Sequence, residues 1–164
     1  MKKRRLIPAT AAACLLVSIG STLPAWADGS DLTTGELAAL VEQASNVDLK
    51  ADEVAAQPAS GGAFATDGGE VAVSIPRSAA GDVAATADTV NGPVTVTVGT
   101  GSSSGAAGRL AADGSVVYNE SGGTDHTVQA TTDGFRIHTV ISSDAAPTEF
   151  THDVTLFSWH PSGV

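Results

Sequence analysis

The spacing of apolar residues changes several times along the chain, and each change predicts a different element. Leu6 to Leu23 is an almost unbroken apolar run, densest from Ala11 to Val17 and punctuated by Pro8 and Gly20. Further on, Leu37, Leu40, Val41 and Ala44 fall on one helical face. Just before them, Thr33-Thr34-Gly35-Glu36 has the form of a capping box. There the threonine hydroxyl accepts from the glutamate amide while the glutamate side chain reaches back. A helix is predicted from about Thr34 to Ser45, with a second turn through Leu49 to Ala56. Pro58-Ala59-Ser60-Gly61-Gly62 then reads as a linker.

From Glu70 the period becomes two. Val71, Val73 and Ile75 alternate with Ala72 and Ser74, and Val94, Val96 and Val98 oppose Thr95 and Thr97. Such alternation of β-branched residues predicts strands packed on one face and wet on the other. Gly99 to Gly108 is almost wholly Gly, Ser, Thr and Ala, which predicts a flexible loop. Two hairpins follow, each marked by Asp-Gly, a pair suited to the positive φ of a tight turn. The first joins Arg109–Ala112 to Ser115–Asn119 through Asp113-Gly114, and the second joins Thr127–Thr132 to Phe135–Ser142 through Asp133-Gly134. With a two-residue turn in the second, Thr132 faces Phe135, Ala130 faces Ile137 and Val128 faces Thr139. Val128, Ala130, Phe135, Ile137 and Ile141 then share one face, and Thr127, Gln129, Thr131, Arg136 and His138 the other. A last strand is predicted from Thr148 to Phe157, with Phe150, Val154 and Leu156 inward. The fold class is therefore mainly β: an antiparallel sandwich or open barrel with a short N-terminal helix.

Charge changes how the first apolar run is read. Lys2, Lys3, Arg4 and Arg5 precede it and Ala25-Trp26-Ala27 follows it, the order of a secretory signal peptide cleaved between Ala27 and Asp28. The uninterrupted core is shorter than the roughly 20 residues of a membrane span, so no stable span is expected in the mature form. Cys14, the one cysteine, lies inside the apolar run rather than after it, so lipidation is not expected. Its loss with the leader leaves no disulfide and no thiolate metal site. The remaining chain keeps only Lys50, Arg77, Arg109 and Arg136 against all eighteen carboxylates, a formal charge of −14. That balance argues against nucleic acid and anionic lipid as partners, since both require a basic surface, and fits a solvated protein or one that meets cations or a basic surface.

Candidate chemistry is sparse. Gly101-Ser102-Ser103-Ser104-Gly105 matches the G-x-S-x-G of a nucleophile elbow, but the elbow needs a helix directly after its serine, and Ala106-Ala107-Gly108 leads instead to a hairpin. The histidines are His126, His138, His152 and His160. In the hairpin register above, His126 and His138 project from opposite faces and cannot share an ion, so scattered surface histidine is the reading. Asp48, Asp52 and Glu53 stand at helical spacing without a calcium-binding loop and read as solvated charge. Asn119-Glu120-Ser121 is a glycosylation sequon. No catalytic, cofactor-binding or metal-binding set emerges, and no cofactor is expected.

Between Ser115 and Val154, Val116-Val117-Tyr118, Thr124-Asp125, Val128-Gln129-Ala130, Asp133-Gly134-Phe135-Arg136, Thr139-Val140-Ile141 and Ala146-Pro147-Thr148-Glu149-Phe150 follow in order. This stretch resembles a β segment of secreted actinobacterial proteins of uncharacterised role, and more weakly the leading β region of large RHS-type wall-associated proteins. The resemblance covers about a quarter of the chain. It rests on turn and core residues, and it implies an exported β domain without carrying over any catalytic residue. In that pattern the last strand runs on into a Pro-Gly turn; here Phe157-Ser158-Trp159-His160-Pro161 departs from it, as expected of a truncated or frameshifted member.

The expected organisation is a signal peptide over 1–27, an acidic helical arm and linker over 28–62, a β domain over 63–157, and a tail over 158–164 that is not native to the domain. The expected function is that of a secreted, non-enzymatic binding or structural module at the cell exterior or cell wall. The alternatives are a small secreted hydrolase whose serine or aspartate is not located, and a truncated, non-functional remnant.

Overall fold

A computed structural model of the chain describes residues 32–44, 52–66 and 70–158. The signal peptide with its cleavage residues Ala25, Ala27 and Asp28, together with Asp48, Lys50 and His160, lies outside the described residues.

The fold is mainly β, with one helix and two antiparallel sheets. Helix α1 spans Thr34–Ala44. The capping box forms as expected: the Glu36 amide donates to Thr33 Oγ1 at 3.3 Å, and the Thr33 amide donates to Glu36 Oε2 at 2.9 Å. These bonds to Thr33 hold the Glu36 carboxyl below its ordinary range. The expected second turn through Ala56 does not form where it is described. Glu53–Val54 is instead strand β1, paired with Thr131 and Ala130.

Strands β2 (Gln57–Pro58), β3 (Phe64–Ala65), β4 (Val71–Ile75), β5 (Asp82–Thr89), β6 (Gly92–Gly99) and β11 (Val154–Ser158) form one sheet in the order β11-β6-β5-β4-β3-β2. Because Pro58 lies in β2 and β2 pairs with β3, residues 59–63 are a hairpin connection within this sheet rather than a linker before the domain. In the other sheet β9 (Thr124–Thr131) is central. It is flanked by β10 (Gly134–Ile141) on one side and by β8 (Val116–Tyr118) on the other, with β7 (Gly108–Leu110) beyond β8.

Both Asp-Gly hairpins form, with shifted turns. Ala111 and Ser115 close a three-residue loop in which Gly114 has φ +89°, the left-handed position such a loop requires. In the β9–β10 hairpin Thr131 pairs with Gly134, so the turn is Thr132-Asp133 and Ala130 faces Phe135. Every pair moves by two residues from the expected register. An even shift keeps parity, so Val128, Ala130, Phe135 and Ile137 stay on the core face, while Ile141 at the end of β10 is 62% exposed rather than packed.

One core fills the space between the sheets. Val73, Ile75 and Val83 meet Val116, Tyr118, Val128 and Ala130, with Phe135 and Ile137 packed alongside. The Tyr118 hydroxyl donates to the Pro76 carbonyl at 2.5 Å, and burial pushes its ionisation well above the usual range. The opposite face of β9, expected to be wet, is also buried: Thr127 is fully buried and Gln129 nearly so. The cause is α1, whose Leu37 and Ala38 pack with Val117 and Ala111 on that side. Strand β11 departs from expectation in the other direction. Val154 and Leu156 are about two-thirds exposed, because β11 is an edge strand on β6, away from the core. Among the described residues no helix is long and apolar enough to cross a membrane.

Candidate functional site

One end of the sandwich gathers the segments that follow β6, β8 and β10 around a cavity of about 360 Å³. The segment after β6 is the Gly- and Ser-rich run expected to be a flexible loop. It is organised by its own hydroxyls. Ser102 donates its amide to Thr100 Oγ1 at 3.3 Å, Ser104 to Ser102 Oγ at 2.9 Å, and Ala106 to Ser104 Oγ at 3.3 Å. Each alternate hydroxyl thus closes a local turn two residues on. The Thr100 hydroxyl, itself buried, donates to the Ala79 carbonyl and anchors the series to the fold.

The β8–β9 connection turns through Gly122 and Gly123, both at positive φ (106° and 79°). Before them the Glu120 amide donates to Asp125 Oδ1 at 2.9 Å, which fixes where the Glu120 side chain starts. Burial raises the Asp125 carboxyl above its ordinary range, although that amide bond opposes the shift. Along β9 the inward positions are Thr124, His126, Val128 and Ala130. The last two enter the core, and the first two line the cavity. After β10, the segment carrying Pro147, Glu149 and Phe150 supplies a further wall.

Glu120 joins these walls. Ser102 Oγ donates to its Oε2 at 2.5 Å, and His126 Nδ1 lies 2.7 Å from its Oε1. The His126 side chain is 2% exposed and that of Glu120 8%. With the carboxylate accepting from Nδ1–H, a neutral imidazole keeps its lone pair on Nε2. That Nε2 is buried without a hydrogen-bond partner, and so is Oγ1 of Thr124. Leaving such atoms unmatched costs about 1–3 kcal/mol each, a cost carried inside the wall, since neither atom has as much as 1 Å² of accessible surface.

Serine, glutamate and histidine in one hydrogen-bonded cluster have the composition of a hydrolytic triad but not its order. In a triad the imidazole sits between nucleophile and carboxylate; here the carboxylate sits between serine and imidazole. Ser102 Oγ also accepts the Ser104 amide while donating to Glu120, so its proton and one lone pair are engaged in holding the loop. Ser103, the serine at the centre of the elbow-like motif, is exposed, and β7 rather than a helix follows.

His126 is therefore not a surface histidine, although it does project from the face opposite His138, as parity required. His138 is half-buried with Nε2 2.8 Å from Gln129 Oε1; burial, then the Arg136 charge, lowers its pKa. His152 is exposed, its Nδ1 2.9 Å from the Gly99 carbonyl oxygen. Asp52 is exposed and Glu53 lies on β1, so the spacing expected to put them on a helix does not hold. Asn119 of the sequon is exposed, and its Nδ2 donates to the Leu32 carbonyl at 2.7 Å. No three His, Cys, Asp or Glu side chains among the described residues are placed to hold a metal ion.

Sequence reasoning did not assemble Ser102, Glu120, Thr124 and His126. One signal was present. In the expected hairpin, His126 shares parity with Val128 and Ala130, and a histidine at an inward position invites a search for its partner. Comparison of the chain with protein-family models, curated proteins and solved structures finds no match.

Proposed function

We propose that this chain is a secreted, non-enzymatic β-sandwich module that binds a small polar ligand in the cavity at the loop end. Export is supported by Lys2 to Arg5, the apolar run to Leu23 and the Ala25-Trp26-Ala27 cleavage sequence. The observation that carries the binding reading is the cavity itself, walled by the segments after β6, β8 and β10 and held in shape by Glu120, which bonds both Ser102 and His126. A cavity of about 360 Å³ lies at the lower end of the roughly 300–1,000 Å³ usual for small-molecule sites. A binding role, not hydrolysis, is favoured because the Ser102 hydroxyl is committed to Glu120 and the Ser104 amide.

The test begins with expression of the whole chain in a secreting bacterial host. The exported product should have the mass of a chain starting at Asp28. Amide spectra of that product, recorded against a library of small polar compounds, should reveal a compound that moves the resonances of Ser102, Glu120 and Thr124 selectively and saturably. Retention of the leader would end the secretion reading. A library that leaves the cavity amides unmoved, or a compound turned over rather than bound, would end the binding reading.

A further inference from the structure

We infer that the inner face of β6 and β11 is a self-association surface, on which a second copy of this chain lays the same two strands. This surface is separate from the cavity and does not depend on what the cavity binds. Strand pairing sets Val73 beside Ala85, Ala85 beside Val96, and Val96 beside Leu156; likewise Val83 stands beside Val98, and Val98 beside Val154. Side chains directly opposite each other in a ladder share a face, so these rows continue the face that meets the core at β4 and β5. Along them cover is lost step by step. Val73 and Val83 are buried in the core, Val94, Val96 and Val98 are half-buried, and Val154 and Leu156 are 67% and 65% exposed. This sheet thus runs past the layer that covers it and carries an apolar face continuous with the core.

Charge decides what can cover it. Strands β6 and β11 hold no charged residue, and none of the eighteen carboxylates lies in β6, β10 or β11. Asp82 and Asp88 of β5 alternate with Val83 and Ala87 and so belong to the opposite face. In a chain this acidic, two copies repel wherever their carboxylates meet, and here they do not meet. A basic partner would find no carboxylate on these rows to pair with, whereas a second copy brings matching apolar rows. The fold itself shows what seats on such rows. At β4 and β5 they pack against a sheet, and the inner faces of two sheets interdigitate about 10 Å apart. Two-fold symmetry lets one patch cover its equal. So few side chains bury less than about 1,200 Å² in total from both copies, the range of transient complexes. Association is therefore weak: the protein is a single copy in dilute solution, where substitutions on this face leave its melt unchanged, and it pairs when concentrated.

Sedimentation of the exported full chain from about 5 µM to about 1 mM, a span that covers weak association, tests this. The weight-average mass should rise from one copy toward two and stop there. Leu156→Asp sets a carboxylate within the face and should weaken pairing about tenfold or more. Phe157→Asp adds the same charge to the same strand on its opposite face and should pair as the wild type does. Methyl spectra of labelled wild type supply a readout that needs no variant: Val96, Val154 and Leu156 should shift with concentration while Val73, inside the core, stays in place. Added salt should strengthen pairing by screening the like-charged copies. A single copy at the highest concentration would overturn the inference. Equal loss in the two variants would also overturn it, by putting the contact at the strand edge. Growth past two copies would do the same, since a closed two-fold face does not allow it. Weakening by salt would mean that ion pairs, not this face, hold the copies together.

Discussion

Glu120 carries more of the cavity than any other side chain, since one carboxylate anchors both the segment after β6 and the ring of His126. Replacing it with alanine removes both acceptors at once and leaves Nδ1 of a buried histidine without its partner. A loss of about 2–4 kcal/mol is expected, from about 1–3 kcal/mol for each buried bond broken. Urea unfolding of Glu120→Ala beside wild type measures it. Ser103→Ala, at the exposed centre of the elbow-like motif, should stay within about 0.5 kcal/mol. Equal effects of the two would mean that the serine-rich loop is not held by the carboxylate. In the sequence Glu120 is visible only as the middle of a sequon. Its partners lie 18 residues before it and 6 after it, and nothing local to Asn119-Glu120-Ser121 reports a bond across that separation. The G-x-S-x-G run, expected to be a flexible loop, lines the cavity through Gly101 to Ser104, and a short motif fixes residue types and not which hydroxyl is held.

Elements whose cause is local were legible. The capping box at Thr33–Glu36 and the alternation of Val71–Ile75 and Val94–Val98 depend on residues a few positions apart, and the corresponding elements form. Strand β5 was not expected, because Ala84, Ala85 and Ala87 are weak strand formers; it is held by eight pairings to β6. Strands β1, β2 and β3 are two residues each and exist only through their partners. The faces of outer elements were not legible either, since exposure depends on which sheet edge a strand joins. Leu37 and Leu156 test this directly. Leu37 is fully buried under α1, and Leu37→Ala should cost about 2–4 kcal/mol. Leu156 is 65% exposed on β11, and Leu156→Ser should cost no more than about 0.5 kcal/mol. Thermal melts of the two variants would give a large drop for the first and almost none for the second. The reverse ranking would place β11 in the core and α1 outside it.

The acidity of the whole molecule bears on stability through groups that pull in opposite directions as pH falls. Relief of repulsion among the carboxylates favours the compact state on acidification, but every variant shares that change, so differences between variants isolate single groups. For His138 the folded pKa is lowered from 6.5, chiefly by burial and then by Arg136. The unfolded chain therefore takes up this proton first. Stability is lost as pH falls below about 6.5 and through the depressed folded value. Asp125 is the opposite case. Burial, the largest influence on it, raises its folded pKa above 3.8, so the fold carries an ionisation cost above that raised value and sheds it as pH falls toward 3.8. His138→Gln should equal wild type in alkaline buffer relative to its own plateau, and gain on it steadily as pH drops below about 6.5. Asp125→Asn, which keeps an oxygen for the Glu120 amide, should have its advantage near neutrality and lose it in acid. Urea midpoints for the three proteins from about pH 8 to about pH 3.5 contain both crossings. If both differences were flat across that range, neither side chain would be in the surroundings described. A His138→Gln difference that opened only in alkali would mean the imidazole is stabilised in its charged form, and the burial of β10 against α1 and β9 would have to be redrawn.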